Sequence, residues 1–191
     1  VVHMGKMALA NLKLATSVLV EEIEHLDEVF KNETEIDILN KKLTEYLIKV
    51  NNLSLTEAEG TGQQLFYSIS DLERVGDHAE NLAEAAQHLK EHQLAFSEGI
   101  EDLKEISAAA IGAVDHAVAA RNDGNMEDIR QVSKLEDRVD TLEEEMRDKH
   151  IERLQERVQP AAGVVFLDIL SNLERISDHA YNVAGYVKDE L

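Results

Sequence analysis

Cysteine is absent from this chain, which excludes a disulfide framework and any thiolate metal site and is compatible with a reducing compartment. Aromatic residues make up 4%, tryptophan is missing, and one proline and nine glycines are spread over 191 residues. With so few breakers and an abundance of Ala, Leu, Glu and Lys, the expected fold class is all-α. No apolar run approaches the roughly 18 to 20 residues that a membrane-spanning helix needs, and no signal peptide is visible. Basic residues are scarce: 19 Lys and Arg stand against 39 Asp and Glu, a formal charge of −20. Such a chain is repelled by nucleic acid and by anionic lipid, and it suits cations or basic partner surfaces. Its length fits one domain or two small ones with room for a real core. Because it opens on Val1 rather than Met, it reads as a piece excised from something longer.

What is present is helical patterning in two sets of three. Leu9, Leu12, Val18, Leu19, Ile23 and Leu26 predict a first helix from about Gly5 to Phe30. Ile36, Leu39, Leu43, Tyr46 and Val50 predict a second, starting near Glu33 and ended by Asn51-Asn52. Thr56 and Glu59 have the spacing of a capping box for a long third helix reaching about His92. Its seam runs through Leu65, Ile69, Leu72, Gly76, Ala79, Ala83 and Ala86. Ser97 is a candidate cap for the fourth, and Asn122-Asp123-Gly124-Asn125 a stop signal after it. The fifth covers roughly Met126 to Val158, and Pro160 opens the sixth.

One phrase occurs twice. Leu72-Glu73-Arg74-Val75-Gly76-Asp77-His78-Ala79-Glu80-Asn81 returns as Leu173-Glu174-Arg175-Ile176-Ser177-Asp178-His179-Ala180-Tyr181-Asn182, seven of ten positions identical at an offset of 174 − 73 = 101. A second echo pairs Glu33-Thr34-Glu35-Ile36-Asp37 with Glu136-Asp137-Arg138-Val139-Asp140 at an offset of 136 − 33 = 103. Each half thus carries two Glu-x-x-x-Asp pairs on two helices. In heptad terms all four pairs fall at positions e and b, beside the core seam. If the second and third helices pack antiparallel, four carboxylates meet at the edge of each bundle, in a cluster expected to be partly exposed.

Residues four apart on a helix share a face about one turn apart, a spacing that one cation can bridge. Clustered carboxylates repel, and a bound cation relieves that repulsion. Oxygen-only ligands suit Mg²⁺, Mn²⁺, Ca²⁺ or iron more than structural Zn²⁺. The competing reading is that charged residues beside a seam are solvated helix faces. Asn81 and Asn182, four residues beyond their Asp, either offer an amide oxygen to the same metal or are solvated. Arg74 and Arg175 point about 100° from the Glu they follow and are expected to ion-pair between helices. His78 and His179 are expected to pack or hydrogen-bond. His88 and His92 have zinc-ligand spacing without a third partner. A single Glu-x-x-His, Glu22 to His25, falls short of the two that a di-iron bundle needs. Gly60-Thr61-Gly62 lacks the lysine of a phosphate loop, and nothing resembles a nucleophile elbow.

Two tandem three-helix units, with four acidic pairs and the repeated phrase Leu-Glu-Arg-Val/Ile-Gly/Ser-Asp-His-Ala-x-Asn, resemble the PhoU phosphate-uptake regulators over nearly the whole chain. Glu45-Tyr46-Leu47 through Leu53-Ser54-Leu55 look more like the PhoU-like C-terminal domain of bacterial sodium/phosphate cotransporters. The resemblance implies a six-helix fold of two repeats, 1–95 and 96–191, that is not an enzyme. It implies iron, zinc, manganese or magnesium ions held by Glu33, Asp37, Glu73 and Asp77 in one unit and by Glu136, Asp140, Glu174 and Asp178 in the other. It also implies regulation of phosphate import through contact with a transporter's membrane domain or a phosphate-signalling histidine kinase, a cytoplasmic location at the inner face of the membrane, and compatibility with a homodimer. The second unit departs from the first: Gly76 becomes Ser177, Glu80 becomes Tyr181 and Glu84 becomes Gly185, a thinner acidic shell. The rivals are a helical scaffold that binds nothing and a metal-dependent hydrolase.

Overall fold

Low breaker content and strong helix formers produce six helices: α1 Val2–Glu21, α2 Leu26–Leu53, α3 Glu59–Glu91, α4 Ile100–Asp123, α5 Met126–Gln155 and α6 Pro160–Glu190. The structure is a computed structural model, and it describes residues 1–21, 25–53, 59–96, 99–155 and 160–191. Among these residues there is no strand, and no helix is long and apolar enough to cross a membrane.

Four helices form the centre. α1 packs on α3, α3 on α6, α6 on α4 and α4 on α1, while α2 lies against α1 and α3, and α5 against α4 and α6. The apolar residues meet in one cluster, with Met4, Leu12, Ile36, Ile69, Leu72, Leu82, Leu103, Ile106, Phe166, Ile169, Leu170 and Leu173 fully buried. Each such side chain contributes about 1.5–3 kcal/mol by leaving water. Alanines 109, 110, 113, 117 and 120 give α4 a small-residue surface buried in that cluster. The outer helices α2 and α5 are left amphipathic, with charged faces to solvent.

Punctuation is seen where sequence signals are strong. Gly124, in the left-handed region at φ 65°, caps α4 by donating its N–H to the carbonyl of Ala120, and Pro160 is the first residue of α6. The boundary near Phe30 is corrected. α1 ends at Glu21 and α2 begins at Leu26, and the two helices pack against each other, a boundary that no Gly or Pro in the sequence signals. Val29 is fully buried; Asn11 donates to its carbonyl at 3.2 Å and accepts from Asn32 at 3.2 Å, fixing α2 against α1. Asp27 and Glu28 then stand in the first turn of α2, where the helix dipole favours acid. Tyr46, expected on the apolar stripe, is 64% exposed, and Leu47 packs on the core in its stead. The cap at Gly99 is a backbone cap in the left-handed region, φ 102°, with no side-chain hydrogen bond; Thr56 and Ser97 lie outside the described residues.

Candidate metal centres

α2 and α3 run antiparallel, as their neighbours show: Glu33 sits against Gly76, Asn40 against Glu73 and Asn51 near Gly62. This direction brings the two acidic pairs of the first half to one place. Glu33, Asp37 and Asp77 each present a carboxylate oxygen within 4.8 Å of the others, and Glu136, Asp140 and Asp178 do the same between α5 and α6. Glu73 and Glu174 stand outside these trios but share their field, because Asp77 and Asp37 act on Glu73, and Asp178 and Asp140 on Glu174.

The electrostatics are those of crowded anions. Burial first, then repulsion by Asp77, Asp37, Glu80 and Glu73, pushes the Glu33 carboxyl from 4.5 up to about 8. Burial and then neighbouring carboxylates also raise Asp77, Glu73 and Glu80, with Arg74 opposing the rise at Asp77 and Glu73. In the second half Glu136, Asp140 and Glu174 are raised in the same order of causes. Glu80, which the repeat comparison placed in an outer shell, therefore acts directly on Glu33.

The expectation of a partly exposed cluster is right for Asp37 and Asp77 and wrong for Glu33, which is 4% exposed. Among the described residues, neither of its carboxylate oxygens has a hydrogen-bond partner. Buried carboxylate oxygens are normally paired, so a cation bridging Glu33 to Asp37 and Asp77 fits this site. Heptad bookkeeping missed the burial because it treats position e as a flank. Gly76 leaves a hole in the seam, and the Glu33 carboxylate fills it.

The remaining candidates face elsewhere. Asn81 donates to Asn172 Oδ1 at 3.0 Å and Asn182 to Asp71 Oδ1 at 3.3 Å, so these amides link α3 and α6 rather than reach for metal. His78 hydrogen-bonds Asn172 at 2.9 Å and His179 hydrogen-bonds Asp71 at 2.7 Å, in keeping with their expected role. Arg74 and Arg175 are exposed and, among the described residues, make no ion pair, contrary to expectation. The rings of His88 and His92 meet at a tilt, centroids 4.1 Å apart and planes 34° from parallel, at the exposed end of α3. No third ligand joins them among the described residues.

Known proteins match this chain over most of its length. The PhoU domain family matches residues 1–86 and 103–187, the two halves in turn. An accessory protein of a phosphate-specific transport system, PhoU homolog 1 of Methanothermobacter thermautotrophicus, is 30% identical over 190 residues, covering 95% of this chain and 84% of the relative. The protein of the same description from Thermotoga maritima is 27% identical over 180 residues, covering 88% and 75%. In fold, the crystal structure of PhoU from Pseudomonas aeruginosa superposes with a TM-score of 0.89 at 21% identity, covering 97% of this chain and 90% of that one. PhoU from Streptococcus pneumoniae gives 0.86 at 20% identity, covering 97% and 88%. The six-helix fold is shared with these structures, and the chain belongs to the PhoU family.

Proposed function

We propose that this chain is a non-catalytic, metal-binding regulator of phosphate uptake, acting at the cytoplasmic face of the membrane by contact with a phosphate transporter or its signalling histidine kinase. Its repeats, 1–95 and 96–191, each supply one metal centre. The phosphate assignment rests on family membership and on the transport-accessory role named for its relatives. The metal assignment rests on Glu33, a buried carboxylate with both oxygens unpaired, facing Asp37 and Asp77. Glu33, Asp37 and Asp77 would hold the ion, with Glu73 at the margin; Glu136, Asp140 and Asp178, with Glu174, are the counterpart. The donors are all oxygens, a set suited to iron, manganese or magnesium, with zinc also accommodated. Bound there, a cation neutralises like charge and locks α2 to α3 and α5 to α6.

The exposure of Asp37, Asp77 and Asp140 favours a second reading, a helical scaffold with solvated acidic faces. Elemental analysis by plasma mass spectrometry of protein purified without chelator separates the two. Stoichiometric metal that falls when Asp37 and Asp77 are both replaced by alanine supports the proposal. Metal near zero in wild type, after reloading with Mn²⁺, Fe²⁺ and Zn²⁺ in turn, leaves the scaffold.

A further inference from the structure

The two acidic centres are related by the repeat, yet the residue beneath them differs. A Cβ placed on Gly76 would lie 2.5 Å from Glu33 Oε2 and 3.2 Å from its Cδ and Oε1. That is far inside carbon–oxygen contact distance. Glu33 lies buried beneath its cluster because position 76 has no side chain. Ser177 is the repeat counterpart of Gly76 at the offset of 101. It is fully buried and donates its hydroxyl to the Glu174 carbonyl at 2.7 Å, one turn back in its own helix. The hole that receives Glu33 in the first half is thus occupied by the serine's Cβ and Oγ in the second. Glu136 there is only half-buried.

From this we infer that the residue at 76 and 177 sets the depth of the cluster glutamate, and thereby makes a tight metal site in the first half and a weak one in the second. This inference rests on the proposed metal-binding role and deepens it. In the first half, a buried and positionally fixed Glu33 meets the cation away from water, where attraction is least screened, and its unpaired oxygens gain the partner they lack. In the second half, Glu136 keeps part of its hydration and its rotamer freedom, and must give up both on binding. Gly76 and Ser177 touch no metal; they are positioning residues. A divalent, oxygen-preferring cation at limiting concentration therefore loads between α2 and α3 before it loads between α5 and α6.

The test is a Mn²⁺ titration of the full chain after EDTA treatment and desalting, with free ion read by electron paramagnetic resonance. Two classes of sites are expected, separated by about 10- to 100-fold, the range that supporting residues around metals typically command. Asp37→Ala with Asp77→Ala should delete the tight class, and Asp140→Ala with Asp178→Ala the weak one. Gly76→Ser should weaken the tight class toward the other, with circular dichroism reporting retained helix. Ser177→Gly, which only removes atoms, should tighten the weak class and carries the test if Gly76→Ser fails to fold. Equal affinities in wild type, or a Ser177→Gly protein whose two classes match those of wild type, would overturn the inference while leaving metal binding intact. No Mn²⁺ bound by wild type would overturn the metal-binding role and this inference together.

Discussion

His78 and His179 stack across the α3–α6 contact, their ring centroids 5.5 Å apart and their planes 19° from parallel. Each reaches to the opposite helix, His78 to Asn172 and His179 to Asp71, and Asp71 and Asn172 are themselves counterparts at the repeat offset. The stacked pair thus marks the pseudo-two-fold relation between halves. Chemically the relation is broken, with a neutral amide on one side and a carboxylate on the other.

That carboxylate is the stronger tie. Burial pushes the Asp71 carboxyl up, but hydrogen bonds from His179, Tyr186 and Asn182 outweigh it and hold the group below 3.8. The Tyr186 hydroxyl bonds Asp71 Oδ2 at 2.8 Å, and burial with that bond lifts it to about 12. Asp71→Asn should cost about 1–3 kcal/mol, because a donor replaces an acceptor and leaves Tyr186 or His179 unsatisfied. Chemical denaturation at neutral pH measures it. A folded-state value below the unfolded one means that the stabilisation is present above about 3.8 and is lost as pH falls through the lower folded value. Equal stability of the variant and wild type at pH 7 would refute this role.

The repeat, the six helices and the pairing of acidic motifs were legible because periodicity and offset survive in a single sequence. Less visible was the second buried stripe of α3. Ser68, Asp71, Val75, Leu82, Ala85 and Leu89 are all buried, with half-buried His78 among them. They recur three or four apart, but polar members at 68, 71 and 78 hid the pattern. Long-range packing makes those residues interior: Asp71 and His78 find their partners on α6, while Ser68 donates to the Gln64 carbonyl of its own helix. The end of α1 was illegible for a similar reason: nothing between Glu21 and Leu26 opposes helix locally. The depth of Glu33 depends on the absence of one atom at residue 76, in a different helix.

The interhelical caps should differ in their tolerance of a methyl group. Gly99 has φ 102° and a Cβ there would lie 2.8 Å from the Phe166 ring, whereas Gly124 has φ 65° and its nearest neighbour would be 3.3 Å away, on Leu191. Gly99→Ala meets both backbone strain, about 1–3 kcal/mol, and a clash with a fully buried ring. Gly124→Ala occupies the one left-handed well open to L-residues beside an exposed side chain that can move. Thermal melts should therefore rank wild type above Gly124→Ala, and Gly124→Ala above Gly99→Ala. The reverse order would mean that the chain around residue 99 adjusts freely.

Cation binding to the native state alone raises stability by mass action, about 2.7 kcal/mol at a hundred times the dissociation constant. For a protein of this size that is a rise in Tm of roughly 5–10 °C. Mn²⁺ should produce it and EDTA should reverse it. Asp37→Ala with Asp77→Ala should remove most of the rise while far-ultraviolet circular dichroism stays near wild type, since both side chains are exposed. A double variant that unfolds would show these aspartates to be structural.

The metal-free protein should lose stability as pH rises through the range in which Glu33 is protonated in the fold and ionised in the unfolded chain. Its folded value of about 8 lies above its ordinary 4.5. Between those values the native state binds the extra proton, so the unfolding free energy falls with pH, levelling above about 8. Raised values at Glu73, Asp77, Glu80, Glu136, Asp140 and Glu174 act with the same sign. Glu33→Gln carries no charge to bury and should flatten the largest part of this slope, making the variant more stable than wild type at pH 8 in EDTA. Denaturant midpoints at pH 5, 6.5 and 8 measure both proteins. Saturating Mn²⁺ should reverse the wild-type slope, because the ion competes with the proton for Glu33 and wins as pH rises, and Glu33→Gln should respond far less. If the variant and wild type run parallel from pH 5 to 8, Glu33 is not the group that titrates with folding.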